Sequence, residues 1–215
     1  SALAHQLNNP LVGVMNISEV LLRRMDQSDR NYTLLKMIRD AGITCHETIS
    51  RLLSFSRKPE KNAWMTVNIQ DVLNASIEFV SRHSLFQKVE VERKFHPAPL
   101  MRGDPVLLQQ AFMNVLYNGA QAADGKGKLT VSCSGVYGMG NQVEISIKDN
   151  GRGIPKNDLP RIFEPFFTTK SEDSGTGIGL SLVYWIIQDH KGRIEVESEV
   201  GKGTAFTIIL PAITG

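Results

Sequence analysis

Cysteine is scarce in this 215-residue chain. Cys45 and Cys133 stand far apart and form no CxxC pair. That excludes a disulfide framework and a structural zinc module, and it points to a reducing, cytoplasmic setting. Long apolar runs are missing as well; none approaches the ~18–20 residues that span a bilayer. The start, Ser1-Ala-Leu-Ala-His5, has neither the basic region nor the apolar stretch of a secretory leader. Nor is there a charge excess. The 24 Lys and Arg meet 22 Asp and Glu, a formal net charge of +2. Such balance argues against a general nucleic-acid binder or a membrane-surface protein. With 41% hydrophobic and 21% charged residues, the chain can bury a core. At roughly 100–200 residues per domain, its length allows one or two domains.

Two further scarcities divide the chain. Proline is absent from Leu11 to Lys58, and sixteen of the 18 glycines lie at or after Gly103. The first part therefore reads as helix and the rest as a turn-rich α/β unit. Leu3, Leu7, Leu11, Val14, Ile17, Leu21 and Met25 recur every three or four residues, predicting a first helix. The polar turn Asp26-Gln-Ser-Asp-Arg-Asn31 separates it from a second. There Leu35, Ile38, Gly42, Cys45, Ile49 and Leu52 follow a 3-4-3-4-3 spacing, a heptad seam suited to bundle packing. Pro59 breaks that helix. Two helices alone leave their stripes uncovered, so an antiparallel hairpin pairing with a second copy into a four-helix bundle is expected. Packing on the second domain is the alternative. The expected division is 1–58 for the helical domain, 59–63 for a linker and 64–215 for the second domain.

In the second domain the pattern predicts strands at Trp64–Ile69, Lys88–Phe95, Leu129–Val136, Val143–Ile147, Ile194–Val196 and Thr204–Leu210. Helices are predicted over Asp71–His83, from Asp104-Pro105 to about Ala123, and over Gly179–His190 with Gly192 as C-cap. This order of helices and mostly antiparallel strands predicts an α+β two-layer sandwich.

Four segments carry chemistry. In the helix after Asp104, Gln110, Asn114, Asn118 and Gln121 fall at i, i+4, i+8 and i+11 and form one stripe of amides. Asparagine is a poor helix former, so two of them on one face suggest oxygen ligands for Mg²⁺ and donors for phosphate; a wet face is the plain alternative. Asp149-Asn-Gly-Arg-Gly153 follows a strand. Its carboxylate can accept from an exocyclic amine, and Gly151 and Gly153 let a flat ligand approach the backbone; an ordinary turn would read alike. Arg161-Ile-Phe-Glu-Pro-Phe-Phe-Thr-Thr-Lys170 offers Phe163 as loop base and Lys170 as phosphate contact. Gly175-Thr-Gly-Ile-Gly-Leu-Ser181 opens a helix, where backbone N–H groups and the helix dipole can cradle phosphates. It matches neither a Rossmann fingerprint nor a Walker A loop, and a flexible connector is its alternative.

Together and in this order, the four segments resemble the N, first-glycine, F and second-glycine boxes of the ATP-binding domain of sensor histidine kinases. That branch is shared with the gyrase, Hsp90 and MutL ATPases. Upstream, Ala4-His5-Gln-Leu-Asn-Asn-Pro-Leu11 resembles the H-box of the family's dimerisation and phosphotransfer domain. Helical geometry agrees: His5 lies roughly opposite Leu3 and Leu7 and so points away from the apolar stripe. The resemblance implies a dimeric protein-histidine kinase of two-component signalling. His5 would attack the γ-phosphate of ATP and pass the phosphoryl group to an aspartate of a response-regulator receiver domain. It implies Mg²⁺ on Asn118 supported by Asn114, adenine on Asp149, and phosphates on Gly175, Gly177 and Gly179. Gln121, Gly151, Gly153, Phe163, Lys170, Thr176 and Leu180 complete the implied nucleotide set. No nucleic-acid or membrane contact is expected of this stretch.

One residue departs from the family. Gln6 stands where the family usually has Glu or Asp to orient the imidazole and take its proton. Slower autophosphorylation is expected, since losing a general base costs about 10²–10⁴-fold. Asn9 matches the family position that places the water hydrolysing a regulator's phospho-Asp. A regulator phosphatase with weak kinase activity, or a pseudokinase, is therefore the alternative. The start only four residues before His5 leads us to expect a cytoplasmic fragment whose sensor and any membrane anchor lie upstream.

Overall fold

The computed structural model describes residues 13, 14, 17, 18, 20–22, 24–26, 29, 31–39 and 42, then 64–136, 141–169 and 177–213. The chain divides into two compact units, Ser1–Lys58 and Pro59–Gly215. The stretch expected as a linker falls within the second.

In the first unit the described residues from 13 to 24 are helical, as are residues 31–39 and 42. Asp29 starts the second helix, its side chain accepting from the Asn31 N–H at 2.8 Å. Of the predicted apolar stripes, Val14, Ile17, Leu21 and Ile38 are exposed in the single chain, while Gly42 is buried.

The second unit contains β1 (Met65–Val67), α1 (Ile69–Ser81), β2 (Lys88–Phe95), β3 (Met101–Gly103) and α2 (Pro105–Ala122). It continues with β4 (Lys126–Val136), β5 (Gln142–Asp149), α3 (Gly179–Asp189), β6 (Arg193–Glu199) and β7 (Gly203–Pro211). One sheet has the order β2-β4-β5-β7-β6, and β1 pairs separately with β3. All pairs are antiparallel except β2 with β4. Alternation decides the layers. Leu129, Val131, Cys133, Val143, Ile145, Ile147, Phe206, Ile208 and Leu210 are buried, as are Leu108, Phe112, Val115, Leu116, Leu182 and Ile186 of the helices. α2 packs on both α1 and α3 and on strands β4 and β5, so the helices form the second layer of the sandwich.

Caps explain where the helices start and differ from the sequence in two places. Asn68 accepts from Gln70 N–H and opens α1 at Ile69, which cuts the predicted first strand short. Asp104 accepts from Val106 and Leu107 N–H at 2.9 and 3.2 Å, with Pro105 following, as predicted for α2. α3 ends in a Schellman motif: Lys191 N–H reaches Gln188 O, and Gly192 N–H reaches Ile187 O. The left-handed residue is Lys191, at φ 58, rather than the expected Gly192. Gly192 is needed for space instead, since a Cβ there would stand 2.6 Å from Ile209 O. Among the described residues no helix is long and apolar enough to cross a membrane.

Candidate active site

Asp149 ends β5 and is 4% exposed. Its Oδ1 accepts from Gly151 N–H at 2.8 Å and from Thr204 N–H of β7 at 3.2 Å. Burial pushes the carboxyl up from its ordinary value, and these two hydrogen bonds work against that rise. α2 passes directly over it: a Cβ on Gly119 would stand 3.3 Å from Asp149 Cβ and 3.7 Å from Oδ2. The sequence reading missed Gly119 and Thr204. Gly119 had a signal, a helix-interior glycine beside Asn118, which costs about 1 kcal/mol relative to alanine unless packing demands it. Thr204 had none, because its role is a backbone N–H.

The glycines of the DNGRG segment have a packing reason beside the ligand approach expected of them. A Cβ on Gly151 would meet the Ala122 carbonyl, and one on Gly153 would collide with the Glu199 carbonyl. They let the turn fit between the end of α2 and the β6–β7 turn. Arg152 N–H donates to Ala122 O, Gly201 N–H to Arg152 O, and Ile154 N–H to Ser198 Oγ. These hydrogen bonds tie the segment after Asp149 to the end of α2 and to the β6–β7 turn.

Asn114 and Asn118 sit on α2 opposite the start of α3. A Cβ on Gly179 would be 3.5 Å from Asn114 Oδ1 and 4.0 Å from Asn118 Nδ2. Ile178, the N-cap of α3, provides no side-chain hydrogen bond to the helix end. The place thus combines amide oxygens and donors with first-turn N–H groups at a positive dipole end. Leu180 is half-buried in that first turn. Gly177 lies next to the phenylalanine segment, where Phe166 N–H donates to Gly177 O at 3.0 Å. Phe163 packs on Tyr184 of α3 with ring centroids 5.4 Å apart, and Arg161 lies over the Phe167 ring.

Gln121 does not line this place in the same way. It is exposed and borders a groove with His83, Gln87, Lys88, Asp124 and Lys126. The predicted site residues His5, Gln6, Asn9, Lys170, Gly175 and Thr176 lie outside the described residues.

A nucleotide with Mg²⁺ fits this donor set. Hard cations take oxygen ligands, and a carboxamide supplies one. Among the described residues no group of three or more His, Cys, Asp and Glu side chains could cage a metal. A cation at Asn118 would therefore complete its shell with phosphate oxygens and water.

Comparison with known proteins identifies the family. The family model for the histidine kinase-, DNA gyrase B- and HSP90-like ATPase matches residues 103–214. The model for the His Kinase A (phospho-acceptor) domain matches residues 1–61. Sensor histidine kinase ZraS of Escherichia coli (strain K12) is 31% identical over 212 residues, 98% of this chain and 44% of that protein. Signal transduction histidine-protein kinase AtoS of the same organism is 33% identical over 215 residues, 98% of this chain and 34% of that protein. The chain thus spans less than half the length of these relatives. The crystal structure of full-length ShkA in complex with AMPPNP superposes over 100% of this chain and 46% of its own, with a TM-score of 0.82 at 24% identity, a likeness of fold. With a phospho-acceptor domain followed by an ATPase domain, the chain belongs to the sensor histidine kinases, a family of protein-histidine kinases.

Proposed function

We propose that this chain binds Mg²⁺–ATP between α2 and α3, phosphorylates itself on His5 and passes the phosphoryl group to an aspartate of a response-regulator receiver domain. The observation that carries the reading is the meeting of Asn114 and Asn118 with the start of α3 at Gly179, where Ile178 lends no side-chain cap. The buried carboxylate of Asp149 accepts the adenine amine at one end of the site. Gly177 and Gly179, with Gly175, Thr176 and Lys170 beside them in sequence, take the phosphates at the other. Asn118, supported by Asn114, holds the Mg²⁺, which neutralises phosphate charge when bound. His5 in its neutral form attacks the γ-phosphorus, a P–N bond forms, and the bond to the ADP oxygen breaks. The imidazole proton then leaves to solvent, because Gln6 can accept a hydrogen bond but cannot take a proton.

Residues 1–58 act in this reading as the dimerisation and phosphotransfer domain and 64–215 as the ATP-binding domain. The exposed Val14, Ile17, Leu21 and Ile38 support a homodimer, since a second copy would cover them. A cytoplasmic site of action fits an ATP-consuming domain with a free, buried Cys133.

Gln6 favours one second reading, a phosphatase acting on the regulator's phospho-Asp through Asn9, with weak kinase activity or none. Incubation with Mg²⁺ and γ-labelled ATP separates the two. An acid-labile, alkali-stable label that is lost in His5→Ala is the expected result. Nucleotide binding without any label would transfer the assignment to the phosphatase or pseudokinase.

A further inference from the structure

His190 is a buried histidine that the nucleotide reading leaves unused. It caps the C-terminal end of α3 and is 1% exposed. Both ring nitrogens are committed. Nε2 lies 3.0 Å from the backbone N–H of Asp104, which can only donate, so Nε2 carries the lone pair. Nδ1 then carries the proton and donates to Ile186 O at 2.8 Å. Trp64, just before β1, stacks on the ring with centroids 4.9 Å apart and planes within 10°. Gly103 comes so close that a Cβ would stand 2.7 Å from His190 Cδ2.

These contacts join α3, the start of α2, the entry to β1 and the end of β3 at one imidazole. Asp104, which donates its N–H to His190, also caps α2 through its own Oδ1. α2 carries Asn114 and Asn118. α3 begins at Gly179 beside those amides and ends at His190. The two helices are thus tied at His190 and meet again at the amides, one α3 length away, about 16 Å for 11 residues. A rigid helix pinned at one end transmits any displacement there to its other end.

We propose that His190 is a positioning residue for nucleotide binding: the imidazole fixes α3 against α2, and Trp64 holds the ring in place. The effect is on the spacing between Gly179 and the Asn114–Asn118 amides, so the inference rests on the nucleotide reading of that place. Neutral histidine suits the role because one rigid ring supplies an acceptor for Asp104 N–H and a donor for Ile186 O. The charges that act on it are Asp104 at the start of α2 and Asp189 on its own helix; both favour protonation. Trp64 and Gly103, facing it from just before β1 and from β3, carry none. Burial outweighs the two acids and holds the ring neutral.

The test measures Mg²⁺–AMPPNP affinity by calorimetry on the full 215-residue chain, beside thermal unfolding without nucleotide. His190→Phe keeps a ring under Trp64 and loses both hydrogen bonds; Trp64→Leu keeps the hydrogen bonds and loses the stack. At a temperature where each variant is folded, affinity is expected to fall about tenfold in His190→Phe and about threefold in Trp64→Leu, equal to about 1.4 and 0.7 kcal/mol. In a Trp185→Phe background, where Trp64 is the only tryptophan, AMPPNP is expected to change its emission, because coupling between two places is reciprocal. Affinities within twofold of wild type, with only the unfolding temperature lowered, would overturn the proposal and leave His190 a packing residue. Should His190→Phe not fold, Trp64→Leu and the Trp64 emission decide by the same criteria. No AMPPNP binding in wild type would instead overturn the nucleotide reading on which it rests.

Discussion

The backbone N–H of Phe166 donates to the carbonyl oxygen of Gly177 at 3.0 Å, and both residues have positive φ, 68° and 65°. This bond fastens the phenylalanine segment to the second glycine motif. It also leaves no room at Gly177, where a Cβ would stand 2.6 Å from Phe166 O. Gly177→Ala therefore meets two penalties: a left-handed conformation, worth about 1–2 kcal/mol, and a backbone collision. Gly201 is the control, since its φ is 81° and a Cβ there meets nothing within 4 Å. Gly177→Ala is expected to weaken Mg²⁺–AMPPNP binding at least about tenfold, or about 1.4 kcal/mol. Gly201→Ala should lose a little stability and no affinity. Equal affinities in the two variants would remove any role of this fastening in nucleotide binding.

Asp149 combines a structural task with the proposed recognition of adenine, and two substitutions separate them. Asn keeps the oxygen that accepts from Gly151 and Thr204. Ala leaves both buried N–H groups unpaired, at about 1–3 kcal/mol each. Asp149→Asn is expected to unfold near the wild-type temperature yet lose most of its preference for adenine over guanine nucleotides. Asp149→Ala should lose both stability and binding. Binding competition between ADP and GDP, set beside thermal melts, checks this. An Asp149→Asn variant that still discriminates would count against the carboxylate as the reader of the amine.

The pH dependence of Asp149 has a definite sign. Its carboxyl is raised in the folded chain from the ordinary 3.8, chiefly by burial. Between these two values the folded state holds a proton that the unfolded state has released. The associated stability is full below 3.8 and is lost as pH rises through the folded value. The difference in unfolding free energy between wild type and Asp149→Asn should therefore shift against wild type as pH climbs through that window, then level off. Urea titrations from pH 3.5 to 8 measure it.

Much of this was legible in the sequence because it is local. The Asp104-Pro105 start of α2 is capping chemistry written in adjacent residues, and the alternation of Val143, Ile145 and Ile147 fixes which face of β5 is buried. What escaped is non-local. β3 spans only Met101–Gly103, too short to show a period, and exists because β1 pairs with it. The parallel pairing of β2 with β4 has no sequence signature. Gly151 and Gly153 were visible as glycines, but their packing against Ala122 and Glu199, far off in the chain, was not. His190 looked like a helix end; its partners Asp104 and Trp64 come together only in the fold.

The acid side of the stability profile should belong in part to His190. Burial lowers its value below the ordinary 6.5. The unfolded state therefore takes up a proton first as pH falls, and the stability present above 6.5 is lost down to the folded value. His190→Gln keeps an acceptor and a donor without a charge to gain. Its urea midpoint should fall less than that of wild type between pH 7.5 and 5.5. A parallel fall in both would assign the acid sensitivity to other groups.

Gln6 decides how much kinase the chain can be. In the proposed reaction Gln6, next to His5 in sequence, cannot take the imidazole proton, and a general base is worth about 10²–10⁴-fold. Gln6→Glu is therefore expected to raise the rate of label incorporation from γ-labelled ATP at least about tenfold, with the ATP concentration for half-maximal rate unchanged, because nothing at Asn114, Asn118 or Asp149 has altered. His5→Ala on top of it should abolish the label. Asn9→Ala should leave incorporation intact while slowing loss of phosphate from a phosphorylated receiver domain. If Gln6→Glu gains no rate yet Asn9 proves essential for dephosphorylation, the chemistry of this chain runs chiefly toward removing the phosphoryl group, and ATP at the α2–α3 site would act there as an effector rather than as the donor.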